Sequence, residues 1–311
     1  MPTLGIDLGG TFARAAVVDG KGAILASAKV ALQDRKPQGV VETIAQAAEE
    51  AVKKAGVKKV DGCGVGAAGQ IHKDSGVISV APNLGWRDVP LAAMLTKRMG
   101  FEVKVVNDLS AAAWGELHAG AGRGAQDILV VFVGSGVGSA IIADGRLVNG
   151  GGGVAGELGH IKVVPGGRLC GCSEHGCLEA YAGGHNLIAQ TKELLASGSS
   201  RVLEQLTHDD PDTITPVTLE TAAEAGDAKA KEIHTRAAQF LALAVANYVT
   251  VLNPSRLVVG GGVLMHCPGL KRQLLDGVQQ WSSRVSREGL LIADAELGDD
   301  SGIIGAALLV K

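Results

Sequence analysis

The chain has very few aromatic residues, 3% of 311 positions. Its core must therefore be built mainly from Ala, Val, Leu and Ile; hydrophobic residues make up 46% of the sequence, enough for a substantial one. An excess of either charge is also missing. The net charge is −3 and there is no long basic run, which argues against nucleic acid and against an anionic membrane as partners. The longest apolar run, Ala237 to Leu252, contains Gln239 and Asn247 and falls short of the roughly 20 residues that span a bilayer, so it reads as a buried helix. Met1-Pro2-Thr3-Leu4-Gly5 shows no basic segment followed by an apolar one. No secretory leader is expected, and the expected location is cytoplasmic. Cysteines are few, five, and three of them crowd into positions 170–177. That is not the spacing of a secreted disulfide framework; in a cytosolic chain it favours a metal.

Glycine, by contrast, is abundant. The 45 glycines are about twice the usual share. They have no collagen period and cluster at 5–10, 62–69, 134–138, 150–153, 156–159 and 260–262, the pattern of backbone brought close to a ligand at strand ends. Thr3–Asp7, Ala13–Val18 and Ala23–Val30 read as strands joined by glycine turns, followed by a helix over Val40–Ala55 that ends at Gly56. Val60–Gly66 and Val103–Val106 read as further strands, with a helix over Leu91–Met99 between them. Asn107 or Asp108 caps a helix running to about His118. The opening pattern then returns: strand Gln126–Phe132, a glycine loop, strand Ala140–Ala143 and a turn at Asp144-Gly145. A helix over about Ala228–Leu252, a strand at Leu257–Val259 and a helix over Ile303–Val310 complete the chain. The repetition suggests a duplicated α/β fold with two lobes and a cleft between them. The expected division is 1–108 for a small lobe, completed by a C-terminal helix at about 301–311, and 109–300 for a large one.

Three glycine loops carry candidate chemistry. In Asp7-Leu8-Gly9-Gly10-Thr11 a tight turn after a strand offers backbone N–H groups to an anion. Thr11 adds a hydroxyl, and Asp7 can hold Mg²⁺ through water. Gly134-Ser135-Gly136-Val137-Gly138 repeats the arrangement, and the two together would cradle a triphosphate. Gly260-Gly261-Gly262 follows a strand and could lie flat against a purine. An ordinary hairpin or strand-to-helix turn has the same signature as any one of these loops. Asn107-Asp108 ends a strand. Its carboxylate could accept the proton of an attacking hydroxyl, or the pair could simply cap the next helix.

The densest segment is Glu157-Leu158-Gly159-His160, Cys170-Gly171-Cys172 and Cys177-Leu178-Glu179. One imidazole and three thiols make a closed tetrahedral zinc set. Cys-x-Cys puts two thiolates on one turn, and His160 is expected to arrive from a preceding strand. His175 is an alternative fourth ligand, and redox chemistry a rival reading. Cys63 and Cys267 read as free thiols. A metal-bound imidazole has its second nitrogen fixed in tautomer and direction. Glu157 and Glu179 would be held around the same point, and carboxylates suit vicinal hydroxyls.

With Gly5-Ile6-Asp7-Leu8-Gly9-Gly10-Thr11, Ala81-Pro82-Asn83-Leu84-Gly85-Trp86, Val106-Asn107-Asp108, Ala155-Gly156-Glu157-Leu158-Gly159-His160 and the cysteine loop through Glu179, the chain resembles the ROK family (repressor, open reading frame, kinase) from about residue 3 onward. The resemblance implies the two-lobed actin-like ATPase (ribonuclease H-like) fold, with duplicated mixed sheets and a central cleft. It implies an ATP-dependent hexose kinase acting with Mg²⁺ and a structural Zn²⁺. Asp108 would be the general base; Asn107, Glu157, His160 and Glu179 would contact the sugar, with Asn83 and Gly69 as weaker contacts. Asp7, Gly9, Gly10, Thr11, Gly134, Ser135, Gly136, Gly138, Gly261 and Gly262 would serve the nucleotide. His160, Cys170, Cys172 and Cys177 would hold zinc. A homodimer is the expected assembly. The chain departs from the family pattern at Phe12, where Lys is frequent, at Ser139 and Ala140, where Gly is frequent, and at Gln70, where Pro is frequent. Sugar-responsive repressors also belong to the family, but their N-terminal helix-turn-helix precedes the first strand, and here that strand is expected already at Thr3.

Overall fold

A computed structural model describes residues 1–310. The chain folds as two compact units: Met1–Ile128, Ala140–Gly156 and Asp294–Lys311 form one, and Leu129–Ser139 with Glu157–Ala293 the other. The expected C-terminal boundary at residue 311 lies outside the described residues.

The first unit is organised on a five-stranded sheet in the order Ile24–Ala31, Phe12–Val18, Thr3–Leu8, Cys63–Ala67, Val103–Asn107. The first three strands are antiparallel meanders and the last two run parallel to Thr3–Leu8. Small β-branched and Ala side chains fill it: Ile6, Val17, Val65 and Val105 are buried along with Ala13 and Ala15. One face takes the helix Pro37–Ala55, which has Pro at its first turn and stops at Gly56, φ 66°. That pairing of Pro-in and Gly-out is what the chemistry of helix ends favours. Within the unit, Ser301–Leu308 packs closely on the strand Thr3–Leu8 and on the helix Asp108–Ala119. A Cβ on Gly5 would lie 1.9 Å from the Ile303 carbonyl oxygen, and one on Gly305 would lie 1.7 Å from that of Ala111. Only glycine permits backbones this close. The buried Glu116 closes the arrangement, its carboxylate accepting N–H groups of Ala121, Glu296 and Leu297 at 2.8–3.1 Å. A three-stranded sheet, Gln70–Ile71, Ile78–Ala81 and Trp86–Val89, completes this unit. Nothing in the periodicity of residues 70–89 announces it. Trp86 is buried in it and donates to the Arg35 carbonyl at 2.6 Å, a packing role.

The second five-stranded sheet has the order Arg146–Leu147, Val137–Ala143, Ile128–Val133, Arg256–Gly260, Leu291–Asp294. Counted within each set, both sheets read third, second, first, fourth, fifth, so the duplication seen as a repeated glycine-loop hairpin extends to strand order. In the second unit Ala228–Leu252 is a single helix of 25 residues. By length and composition it could cross a membrane, so it is longer than the apolar run alone suggested. It behaves as a core helix: Leu241, Val245 and Val249 are buried, and Ala242 packs so tightly on Pro268–Trp281 that a Cβ on Gly277 would lie 2.5 Å from it. Full burial of each such side chain is worth about 1.5–3 kcal/mol. Asp227 caps its start through the Ala230 N–H at 2.8 Å, and Asn253 ends it at φ 46°.

Candidate active site and metal centre

In the first unit the parallel strands end level with one another: Leu8 pairs with Ala67, and Ala67 with Asn107. This carboxyl edge is where open α/β sheets present ligand-binding residues, and it gathers Asp7, Asn107 and Asp108. Burial pushes the Asp7 carboxyl above the usual range; Arg14 beside it opposes the shift, and Asp299 and Asp300 add to it. Arg14 pairs with Asp7 across the strands, donates to the Asp299 carbonyl at 2.8 Å and forms an ion pair with Asp300. Gly9 N–H donates to the Phe12 carbonyl at 3.1 Å, closing the turn, and Gly10 rests against Asn83. Thr11 is exposed, and its carbonyl accepts the Leu32 N–H at 2.9 Å. At Phe12 the Lys29 ammonium lies 4.1 Å from the ring centroid, so an amine is present beside the loop although position 12 itself has none.

Asn107 supplies the cap, one of the two roles that the sequence left open for this pair. The Asn107 side-chain oxygen accepts the N–H groups of Leu109 and Ser110 at 2.9 and 3.1 Å and so caps Asp108–Ala119. Its Nδ2 donates to the Gly69 carbonyl at 3.1 Å. An amide has two donor and two acceptor positions, so Asn107 keeps one N–H for another partner. Asp108 opens the helix, with one oxygen accepting the Leu109 N–H at 2.9 Å. Gly69, at φ 145°, lies so near Val80 that a side chain would collide with the Val80 carbonyl at 2.5 Å.

In the second unit Gly134 N–H donates to the Gly136 carbonyl at 3.0 Å. The carbonyls of Gly134 and Ser135 accept the N–H groups of Gly184 and His185, both at 2.9 Å, where the helix Gly184–Ala196 begins. Gly138 follows within the strand Val137–Ala143. Gly261, at φ 89°, sits on the end of the neighbouring strand, where a Cβ would meet the Val133 carbonyl oxygen at 2.5 Å; Gly262 starts the next helix. The two glycine segments of this unit are therefore adjacent.

His160 ends a single 3-10 turn, Leu158–His160, and does not come from a strand as the sequence suggested. The reason is steric: a Cβ on Gly159 would lie 2.1 Å from the Val137 carbonyl oxygen, and the backbone is folded tightly against that strand. The donor atoms of His160, Cys170, Cys172 and Cys177 all lie within 4.8 Å of one another. His160 Nδ1 is 3.7 Å from the Cys170 sulfur, and the sulfurs of Cys172 and Cys177 are 3.7 Å apart. A tetrahedral zinc ion with bonds of about 2.0–2.3 Å requires ligand-to-ligand edges of roughly 3.5–3.8 Å, so this donor set fits one. Burial pushes the Cys170 thiol up to about 12; its thiolate form calls for a cation beside it. His175 stands outside the group, bonded through Nδ1 to the Gly167 carbonyl at 2.8 Å. Cys63 and Cys267 are buried elsewhere as free thiols, both pushed up by burial, Cys267 to about 12.

The second ring nitrogen of His160 points the other way, 3.8 Å from a Glu157 oxygen. Burial raises the Glu157 carboxyl, His160 opposes this and Glu179 adds to it. Glu179 lies 3.8 Å from the Cys170 sulfur. Glu157, His160, Glu179 and the cysteine cluster thus form one group.

Several neighbours escaped the sequence reading. Lys162 donates to the Cys177 sulfur at 3.0 Å and pairs with Glu174. Its signal is its place two residues after His160. Tyr248 is a polar interruption in the long helix; burial raises its phenol, and the nearby Glu157 carboxylate adds to the shift. Arg14, one strand from Asp7, is recognisable only once the hairpin register is known.

Two sheets of one strand order, each with a glycine loop between its first two strands, define a protein of the actin-like ATPase fold. The ROK family model matches residues 3–311, and the chain belongs to the ROK family. A glucokinase of Streptomyces coelicolor is 35% identical to it over 314 residues, covering 99% of this chain and 97% of the relative. The crystal structure of a ROK family glucokinase from Streptomyces griseus in complex with glucose and AMPPNP is similar with a TM-score of 0.82 at 35% identity, over 99% of both chains. An N-acetylmannosamine kinase of Salmonella typhi is 29% identical over 314 residues, covering 100% of this chain and 99% of the relative.

Proposed function

We propose that the chain is a hexose kinase that transfers the γ-phosphoryl group of ATP to the 6-hydroxyl of glucose. The observation that carries this reading is the end-to-end likeness to the Streptomyces griseus glucokinase that holds glucose and AMPPNP.

Asp108 accepts the 6-hydroxyl proton while that oxygen attacks the γ-phosphorus. The new O–P bond forms as the bond to the β-phosphate oxygen breaks, and ADP leaves. Phosphoryl transfer depends on such orientation and on charge neutralisation more than on covalent help from the protein. In the second unit Glu157, His160 and Glu179 would read the sugar hydroxyls; in the first unit Asn107, with its remaining N–H, would contribute a donor, with Asn83 and Gly69 as weaker contacts. Gly9, Gly10 and Thr11 serve the phosphates in the first unit. Gly134, Ser135, Gly136, Gly138, Gly261 and Gly262 serve the nucleotide in the second. Mg²⁺ would be held through water by Asp7 and would neutralise phosphate charge. Zn²⁺ would be held by His160, Cys170, Cys172 and Cys177, a structural ion whose ligation fixes the His160 ring so that Nε2 faces outward. Five free cysteines suit a reducing, cytoplasmic compartment, and a homodimer is the assembly that light scattering should find.

The relative that is an N-acetylmannosamine kinase favours a second substrate reading. A coupled assay of ADP release with MgATP, run on glucose, mannose, fructose, N-acetylglucosamine and N-acetylmannosamine, decides between them. Strongest turnover on glucose is expected. Strongest turnover on N-acetylmannosamine would reassign the substrate, and silence on every sugar by a folded, zinc-loaded protein would overturn the kinase reading.

A further inference from the structure

In the second unit one residue is gripped at both its N–H and its carbonyl by segments assigned above to the sugar. Val137 is where the Gly134–Gly138 loop becomes strand. Its N–H donates to a Glu179 carboxylate oxygen at 2.9 Å. Its carbonyl lies against Gly159, between Glu157 and His160, at a distance that admits no side chain. The loop is shaped around the same carboxylate: a Cβ on Gly136 would lie 2.2 Å from that Glu179 oxygen. Gly183, at the end of the short helix that Glu179 opens, also packs on the loop, with the Gly136 Cα 3.2 Å from where its Cβ would be. The loop itself, Gly-Ser-Gly-Val-Gly, has no charged side chain with which to hold its own shape.

We propose that Glu179 is a positioning residue for the phosphate loop as well as a reader of the sugar, and that through it occupancy of the sugar site raises the affinity for nucleotide. The proposal rests on the hexose kinase reading. A carboxylate that accepts a backbone N–H makes a charge-assisted bond stronger than a neutral one. One oxygen is committed to Val137; the other, 3.8 Å from the Cys170 sulfur, is the one that a sugar hydroxyl would meet once that sulfur is a metal-bound thiolate and no longer a donor. A sugar hydroxyl donating to it orders the carboxylate and, with it, the loop peptide. The coupling must be reciprocal, since each ligand alters the other's affinity by the same factor, and such factors run from about 5- to 150-fold.

The test is calorimetric titration of the holoenzyme with Mg-AMPPNP, with and without saturating glucose. Wild type should bind AMPPNP at least about fivefold more tightly when glucose is present. E179Q keeps an amide oxygen able to accept the Val137 N–H. It should hold nucleotide nearly as wild type does, while its glucose affinity falls. E179A should lose about tenfold or more in nucleotide affinity, and its coupling should vanish. E179A binding AMPPNP as tightly as E179Q, or wild type indifferent to glucose, overturns the proposal. Should E179A fail to fold, G136A reads the same contact from the other side. Its methyl displaces the carboxylate, so a change in the phosphate loop should weaken glucose binding; an unchanged glucose affinity again overturns the proposal. Failure of the kinase reading itself looks different: wild type would bind no AMPPNP and release no ADP with any hexose.

Discussion

The two glycine loops share a position in equivalent hairpins but are held in different ways. Leu8–Thr11 is closed by its own hairpin, Gly9 to Phe12 and Leu32 to Thr11, and is preceded by a carboxylate of its own strand, Asp7. Gly134–Gly138 contains no charged residue. It is tied down from outside, by Glu179 on Val137 and by Gly184 and His185 on its carbonyls. The first loop thus carries charge and little bracing; the second carries bracing and borrows its charge. On the proposed reading, a duplicated architecture has specialised in this way, the first unit toward metal and proton chemistry and the second toward a platform that carries the sugar-reading groups and the zinc ligands together.

The largest effect is expected in the first unit. D108N should lower kcat by about 10²–10⁴ while the fold, the zinc content and glucose affinity stay intact, read by steady-state kinetics, circular dichroism and titration. Retained turnover would remove Asp108 from the mechanism. In the second unit, C170S should lose most of its zinc and a large part of its glucose affinity together with thermal stability, because metal binding energy is also folding energy. A metal-free, fully active C170S would sever the cluster from function.

K162M tests a subtler support. A cluster of three thiolates and one divalent cation has a net negative charge, which the Lys162 ammonium at 3.0 Å from Cys177 offsets. Its loss should weaken zinc retention about 10–100-fold in competition with a chelator, with K162R recovering part of the effect. The smallest effect is thermal. Burial raises the Asp7 carboxyl, so the ionised group is a cost to folding that is absent below the unfolded carboxylate range and sets in as pH rises through the folded value. D7N, besides losing turnover, should melt roughly 1–3 °C above wild type at neutral pH. The gap should close as pH falls toward about 4, as followed by calorimetry; a pH-independent gap would contradict the desolvation account.

Much of this was legible in the sequence, for reasons that differ from place to place. The helix Ala228–Leu252 declares itself by the long apolar run that ends at Leu252. The strand Thr3–Leu8 and its glycine turn are local patterns, as is the cysteine cluster, whose four ligands fall within eighteen positions. What could not be read depends on tertiary register. Whether Asn107 or Asp108 caps the helix is decided by side-chain direction, and the 3-10 turn at His160 by the approach of Gly159 to Val137. Glu116, buried and bonded to N–H groups some 180 positions away, looks in the sequence like any surface glutamate of a helix. The residues most informative about the platform, Lys162 and Glu179, act through partners that only the folded chain supplies.

The packing of Ser301–Leu308 against Gly5 also has a consequence for biogenesis. A first strand whose glycine fits only beneath residue 303 cannot reach its native surroundings during most of translation. The amino-terminal hairpins emerge early, yet one face of their sheet must wait for residues 301–308 to leave the ribosome. The unit whose synthesis begins first is therefore completed only when its last helix is made, a high-contact-order arrangement of the kind that slows folding.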